Sequence, residues 1–349
     1  MVKVAIVGCG AIAQKRHAPA CSAYKKGVIL QGVFDPIRKN AEEFAKKYRT
    51  KVFGSLEEML SDPQIDAVLV CTPEKYHCDT VIACLKAGKH VLCEKPMGMN
   101  LKEAKEMTRV WKESGKKLSI AFSQRHYSEY QIASRMIREG AVGRPLMFYS
   151  FLTNPGVEYF ICGDEKTFYD RQLENVGGVM LNVGCHRVDL IRYLLDCDIK
   201  EVMAAVPALD KRYADGSFIH HEDTAMVLMR LEDGIHGMLF TSWCNYGEAD
   251  VETKILGTQG TLRINAKSEI VLEKRDGFQM NVSMEKTEKE KAGYDVVWDF
   301  LDAVISGQPV LADAVDGLKC MEVMDAIQRS GKTGAWEKVN CKWDTMADK

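Results

Sequence analysis

The start of the chain constrains it most. Residues 2–7 are an apolar, β-branched run that reads as a buried parallel strand. The run enters Gly8-Cys9-Gly10-Ala11-Ile12-Ala13, a G-x-G-x-x-A turn opening a helix. The first glycine permits a tight turn, and the second removes a side chain where a pyrophosphate must approach. The small third residue lets helix and strand pack closely. The helix N-terminus then offers free N–H groups to phosphates. A second strand, residues 28–34, ends at Asp35. A carboxylate there accepts both ribose hydroxyls of NAD and repels the 2′-phosphate of NADP. A glycine turn alone is weak evidence, but strand, turn, helix, strand and acid in that order specify a dinucleotide site. Gly8, Cys9, Gly10, Ala11, Ile12 and Asp35 are therefore candidate cofactor residues, and NAD is expected over NADP. Arg38 is a counter-signal, because an arginine there can bind a 2′-phosphate. Its other reading is a solvated residue on the next helix.

The alternation continues. Pro19 is expected to break the first helix in two. Residues 38–48 read as a helix, 51–53 as a strand, and 55–61 as a helix with Ser55 as N-cap and Glu58 three on. Strand 65–71 ends in Thr72-Pro73, and helix 77–86 begins at His77. Strand 90–93 ends in Glu94-Lys95-Pro96, helix 101–114 follows, and strand 118–122 leads to Gln124-Arg125. Repeated βα units with short loops predict a doubly wound parallel sheet, an α/β Rossmann domain over residues 1–122. Ligands on such sheets bind at strand carboxyl ends. Thr72, Pro73, His77, Glu94, Lys95 and Gln124 thus join the candidate cofactor rim. Near a nicotinamide and a substrate hydroxyl, Lys95 would stabilise negative charge developing on oxygen. Its other reading is an ion pair with Glu94 or another acid.

After residue 145 the pattern changes. Strands are expected near 146–153, 201–206, 224–231, 236–243, 251–256, 260–264 and 269–273, with one long helix at 182–195. Residues 154–176 read as a long polar and aromatic loop. Helices near 294–306 and 313–330 close the chain, and the former has the option of returning to the first domain. Residues 123–349 are therefore assigned to an α+β domain with an open, mostly antiparallel sheet, used for substrate binding and oligomerisation. Met226, Leu228, Met238 and Phe240 alternate on its outer face, which predicts packing against a second subunit.

Composition narrows the partners. A net charge of −2 gives no basic footprint for nucleic acid. No apolar window is long enough to cross a membrane, and the N-terminus lacks the features of a signal peptide. The 12 cysteines contain no Cys-x-x-Cys, so they read as reduced thiols of a cytoplasmic protein with no metal site.

Gly177-Gly178 introduces the second candidate site. Asn182, His186 and Asp189 follow at i, i+4 and i+7, on one face of a helix. A histidine there either points its ring into a cleft or is a buried residue satisfied by Asp189 or a carbonyl.

Together these motifs resemble the glucose–fructose oxidoreductase / inositol dehydrogenase / MocA family. The matching points are the N-terminal glycine turn, Cys93-Glu94-Lys95-Pro96, Arg125 with Gly140-x-x-Gly143, Gly177-Gly178 with His186-x-x-Asp189, and Asp316-Gly317-Leu318 with Ala326-Ile327. The resemblance spans essentially the whole chain. It implies hydride transfer between NAD(P) and a secondary alcohol of a sugar, glycoside or cyclitol, with Lys95 as the catalytic lysine and His186 as the proton acceptor. It also implies assembly through the open sheet as a homodimer or homotetramer. One position departs: the family usually carries aspartate four residues before the histidine, and here stands Asn182. An amide can orient a substrate hydroxyl but cannot relay a proton.

Candidate substrate contacts are Lys95, Arg125, Asn182, His186 and, in the 154–176 loop, Tyr159, Asp164 and Arg171. Alternative readings are a glycoside 3-dehydrogenase and an NAD-dependent glycosidase acting by transient C3 oxidation and elimination, with Tyr159 or Tyr169 as the extra base. A nucleotide-bound sensor without turnover is the non-enzymatic alternative.

Overall fold

The computed structural model describes residues 1–24, 27–159 and 177–339. The chain divides into two compact units. The first comprises Met1–Ser123 and Thr287–Leu318, and the second Gln124–Lys286 with the residues from Lys319 onward.

The first unit holds a six-stranded sheet ordered β3-β2-β1-β4-β5-β6. Its strands are β1 (Val2–Val7), β2 (Val28–Phe34), β3 (Lys51–Val52), β4 (Ala67–Val70), β5 (His90–Cys93) and β6 (Leu118–Ile120), all paired in parallel. Helices cover the sheet, so its middle strands bury both faces and read as continuous apolar runs. Val4, Ile6, Leu69 and Leu92 are fully buried, each contributing about 1.5–3 kcal/mol. The helices are α1 (Ala18–Ala23), α2 (Arg38–Tyr48), α3 (Leu56–Ser61), α4 (His77–Lys86) and α5 (Leu101–Ser114). Local capping sets their starts: Ser55 Oγ accepts from Glu58 N–H at 3.1 Å, and Asn100 Oδ1 from Glu103 N–H at 3.0 Å. A later helix, α8 (Asp295–Ser306), packs on β1, β5 and α1. Trp298 Nε1 donates to the Ala20 carbonyl at 2.9 Å and Tyr24 to Asp302 at 2.6 Å.

Pro19 does not break the first helix. A wide π turn over Ala13–His17 runs directly into α1, and Ala18 N–H donates five residues back, to the Ala13 carbonyl. Proline has no N–H to give its preceding turn, and the widened turn absorbs that loss without interrupting the helix.

The second unit is built on a nine-stranded sheet ordered β14-β13-β12-β11-β7-β10-β9-β8-β15. The strands are β7 (Pro145–Thr153), β8 (Ile199–Ala205), β9 (Thr224–Leu231), β10 (His236–Ser242), β11 (Asp250–Gly257), β12 (Gly260–Asn265), β13 (Glu269–Lys274), β14 (Gln279–Ser283) and β15 (Glu337–Lys338). The sheet is mostly antiparallel, with one parallel pairing, β7 on β10. It adds two strands to the seven expected, the short polar β14 and the two-residue β15, which form its edges. Two helices pack against it and each other: α6 (Ser128–Arg138) lies on β12 and β13, and α7 (Cys185–Leu195) on β7. The sequence reading assigned no helix to α6. The end of α9 (Ala314–Thr333) reaches β8, where Ala204 N–H donates to Ser330 Oγ at 2.8 Å.

The other face of this sheet is apolar. Met203, Leu228, Met238 and Tyr149 stand side by side across β8, β9, β10 and β7. Met226, Phe240 and Phe151 form the adjacent row. Met226 and Leu228 are each almost half exposed.

Candidate active site

In the first unit the glycine turn is shaped as a nucleotide cradle. Gly8 has φ +89°, and a Cβ there would lie 2.7 Å from the Cys71 carbonyl oxygen and 2.9 Å from Thr72 N. Only glycine permits that approach of two strand ends. A Cβ on Gly10 would meet nothing within 4 Å. Asp35 closes the turn, its Oδ2 accepting Cys9 N–H and its Oδ1 accepting Ile37 N–H, both at 2.8 Å. Burial pushes the Cys9 thiol up to about 12, with help from the Asp35 charge, so it stays a neutral lining group. Thr72 Oγ1 is buried without a hydrogen-bond partner among the described residues. Buried hydroxyls are normally satisfied, so open space at Gly10 and a spare hydroxyl at Thr72 fit a bound dinucleotide. Arg38 is exposed and its Nε donates to Glu42 at 2.8 Å. That matches the solvated reading rather than a phosphate contact.

Lys95 stands in a turn tied to its neighbours. Glu94 N–H donates to the Val70 carbonyl, joining β5 to β4. His17 Nε2 lies 2.7 Å from Glu94 Oε1. Burial works to raise the Glu94 carboxyl, but the His17 hydrogen bond and the charges of His17, Lys95 and His77 overcome it and hold it at about 2. Glu94 is thus an ionised partner within this cluster. The Lys95-Pro96 peptide is cis. His77 is buried with Nδ1 2.8 Å from the Pro96 carbonyl and Nε2 2.9 Å from the Thr72 carbonyl. Expected from the sequence as a cofactor contact, His77 bridges two strand-end loops through both ring nitrogens. Gly8, Gly10, Asp35, Thr72, Glu94 and Lys95 therefore belong to one rim. Sequence reasoning misses His17, although its place on the helix opened by the glycine turn was a usable signal.

In the second unit the Gly177-Gly178 segment opens a π turn, Met180–Gly184, that continues into α7. The i, i+4, i+7 set divides by burial. Asn182 and His186 are half-buried, whereas Asp189 is fully buried. Asp189 accepts two hydrogen bonds from Arg125, Nε at 2.9 Å and Nη2 at 2.7 Å. Arg125 is 5% exposed, so this bidentate pair gives it a structural partner where the sequence reading expected a sugar contact. Gln124 is likewise engaged, its Oε1 accepting from Arg187 Nη1 at 3.2 Å. Arg187 is fully buried and also donates to Ser150, Tyr130, Thr253 and the Glu252 carbonyl. The side chain of Tyr159, and all of Asp164, Tyr169 and Arg171, lie outside the described residues. Among the described residues no group of three or more His, Cys, Asp or Glu side chains is arranged to hold a metal. No described helix is long and apolar enough to cross a membrane.

Residues 2–122 match the model of an oxidoreductase family with an NAD-binding Rossmann fold, and residues 130–263 match the GFO/IDH/MocA C-terminal domain. The chain is 27% identical over 343 residues to an inositol 2-dehydrogenase of Pseudomonas syringae pv. syringae (strain B728a), covering 96% of this chain and 95% of that protein. It is 25% identical over 341 residues to a scyllo-inositol 2-dehydrogenase (NAD(+)) of Bacillus subtilis (strain 168), covering 95% of each. Its fold is similar to that of levoglucosan dehydrogenase in complex with NADH and levoglucosan. The TM-score is 0.88 at 21% identity, over 97% of this chain and 99% of that one.

Proposed function

Because this chain belongs to the GFO/IDH/MocA oxidoreductase family, with its NAD-binding Rossmann fold, we propose that it is an NAD-dependent dehydrogenase of a cyclitol or sugar secondary alcohol. The observation that carries the reading is the placement of Lys95. It follows the ionised Glu94 at the carboxyl end of β5, on the rim that includes the glycine turn. Inositol dehydrogenase relatives matching over nearly the full chain support the substrate class.

Bound NAD supplies the hydride acceptor. Lys95 donates a hydrogen bond to the reacting oxygen and stabilises the charge that builds on it as the C–H bond breaks. His186 takes the hydroxyl proton on its ring nitrogen. Asn182 orients a neighbouring hydroxyl, donating through its NH2 and accepting through its carbonyl. Asp35 accepts the ribose hydroxyls and selects NAD over NADP. The exposed apolar rows of the second sheet support self-association through that face. None of the ten described cysteines forms a disulfide, which supports a reducing, cytoplasmic setting.

The test is a screen of myo-inositol, scyllo-inositol, free sugars and alkyl glycosides with NAD and NADP separately, following absorbance of the reduced cofactor. Accumulation of NADH with a cyclitol or sugar is expected. Failure of every such alcohol to reduce either cofactor would overturn the reading.

A further inference from the structure

Glu222 lies 40 residues beyond Asn182 in sequence, yet its side chain reaches the start of the helical stretch carrying Asn182 and His186. Val179 N–H donates to the Glu222 carbonyl at 2.9 Å, and Met180 N–H donates to Glu222 Oε1 at 3.1 Å. Gln328 Nε2 donates to Oε2 at 3.3 Å. The residue is 6% exposed. First-turn N–H groups have no partner inside their own helix, so a carboxylate from another element satisfies them and complements the positive end of the helix dipole. Gly178 makes the approach possible. A Cβ there would lie 2.5 Å from the Glu222 carboxyl carbon and 2.6 Å from both oxygens.

We infer that Glu222 is a positioning residue for the reaction: it fixes the start, and hence the rotational phase, of the segment that presents Asn182 and His186. This rests on the proposed role of His186. The phase calls for an external anchor because the segment begins with a π turn, Met180–Gly184, a single-turn departure from the α-helical register. Each residue of slippage rotates a helix by about 100°. A displacement of about 1 Å at a reacting group is enough to cost on the order of 100-fold in rate. Asp223, the next residue, faces the opposite way and anchors a different turn. Its Oδ2 accepts the N–H groups of Leu209, Asp210 and Lys211 at 2.8–2.9 Å. Adjacent acids thus hold two separate segments.

The experiment compares E222A, E222Q, G178A, the E222A/G178A double variant and, as control, G247A. An added Cβ at Gly247 would meet only Asn245 Oδ1, at 3.4 Å. Two quantities are read: kcat and KM with myo-inositol and NAD, and the His186 ring signals in proton–nitrogen NMR spectra, assigned by their loss in H186A. E222A and G178A are expected to lower kcat by about 10- to 100-fold while KM for NAD changes less than about twofold. Both should displace the His186 signals. E222Q keeps an acceptor for Met180 N–H and should restore most of kcat and the native signals, as should G247A. The double variant should be no worse than the poorer single, because truncating Glu222 removes the atoms that the new Cβ strikes. Native kcat and native His186 signals in E222A overturn the inference. If E222A does not fold, G178A and E222Q decide by the same two readouts. If H186A keeps full kcat, or myo-inositol is not oxidised, the catalytic reading fails, and the NMR displacement still decides whether Glu222 sets the position of His186.

Discussion

His17 Nε2 sits 2.7 Å from Glu94 Oε1, linking the helix that follows the glycine turn to the residue before Lys95. The carboxyl of Glu94 is held at about 2 against an ordinary 4.5. An acid depressed in this way stabilises the fold above its unfolded pKa, and the contribution is lost as pH falls through the folded one. Its loss therefore spans roughly pH 4.5 down to 2. E94Q lacks the contribution, which is on the order of 3 kcal/mol. Denaturant unfolding of both proteins across pH should show a gap at pH 7 that closes between pH 4.5 and 2. A gap independent of pH would contradict the ionised Glu94 carboxylate.

Lys95→Ala should abolish turnover and leave NAD binding largely intact. A kcat reduced by about 10²- to 10⁴-fold is expected for loss of the group that stabilises the reacting oxygen. Calorimetric NAD titration provides the binding arm. Unchanged kcat would sink the assignment.

Asn182→Asp separates a substrate ligand from a lost relay acid. With Asn182 as a ligand that both donates and accepts, the change removes a donor and KM for the substrate should rise roughly 10-fold, from a loss of about 1–3 kcal/mol. A gain in rate at low pH would instead mark a restored proton relay.

The Arg125–Asp189 pair is buried, so removing one partner leaves a stranded charge. R125M should cost about 3–5 kcal/mol in denaturant unfolding, and R125M/D189L should recover much of it. Equal losses in the single and double variants would show that the pair itself carries the stability.

The exposed rows on the second sheet predict a self-association surface. Met238 and Leu228 are cross-strand neighbours, each 40% or more exposed. M238K/L228K should shift the sedimentation coefficient from an oligomer to a monomer while secondary structure stays intact. A wild-type chain that sediments as a monomer at micromolar concentration would rule the surface out.

Local chemistry explains what the sequence made legible. The strands of the first sheet are continuous apolar runs, and α4 and α5 fall at their expected residues because caps and stop signals are written beside them. The glycine turn and Asp35 were readable because their spacing is short. The parallel β7–β10 pairing and the order of nine strands depend on residues far apart, which no local period encodes. β14 was missed because Gln279–Ser283 is an exposed edge strand with little apolar content. The Asp189 partner lies 64 residues away, so spacing alone could not show that this aspartate pairs with Arg125 in the interior and not with His186. Nothing in Met180-Leu181-Asn182-Val183-Gly184 announces the π turn.

The two glycines of the nucleotide turn are glycine for different reasons, and this divides folding from function within three residues. At Gly8 a side chain would strike the backbone of Cys71 and Thr72, so a substitution there should surface as lost soluble expression. At Gly10 the same methyl group meets no protein atom, so a substitution should leave a well-folded chain that no longer holds its dinucleotide. Among descendants of this chain, a side chain at position 10 above an intact Gly8 would mark a lineage that has abandoned redox chemistry while keeping its architecture for another use.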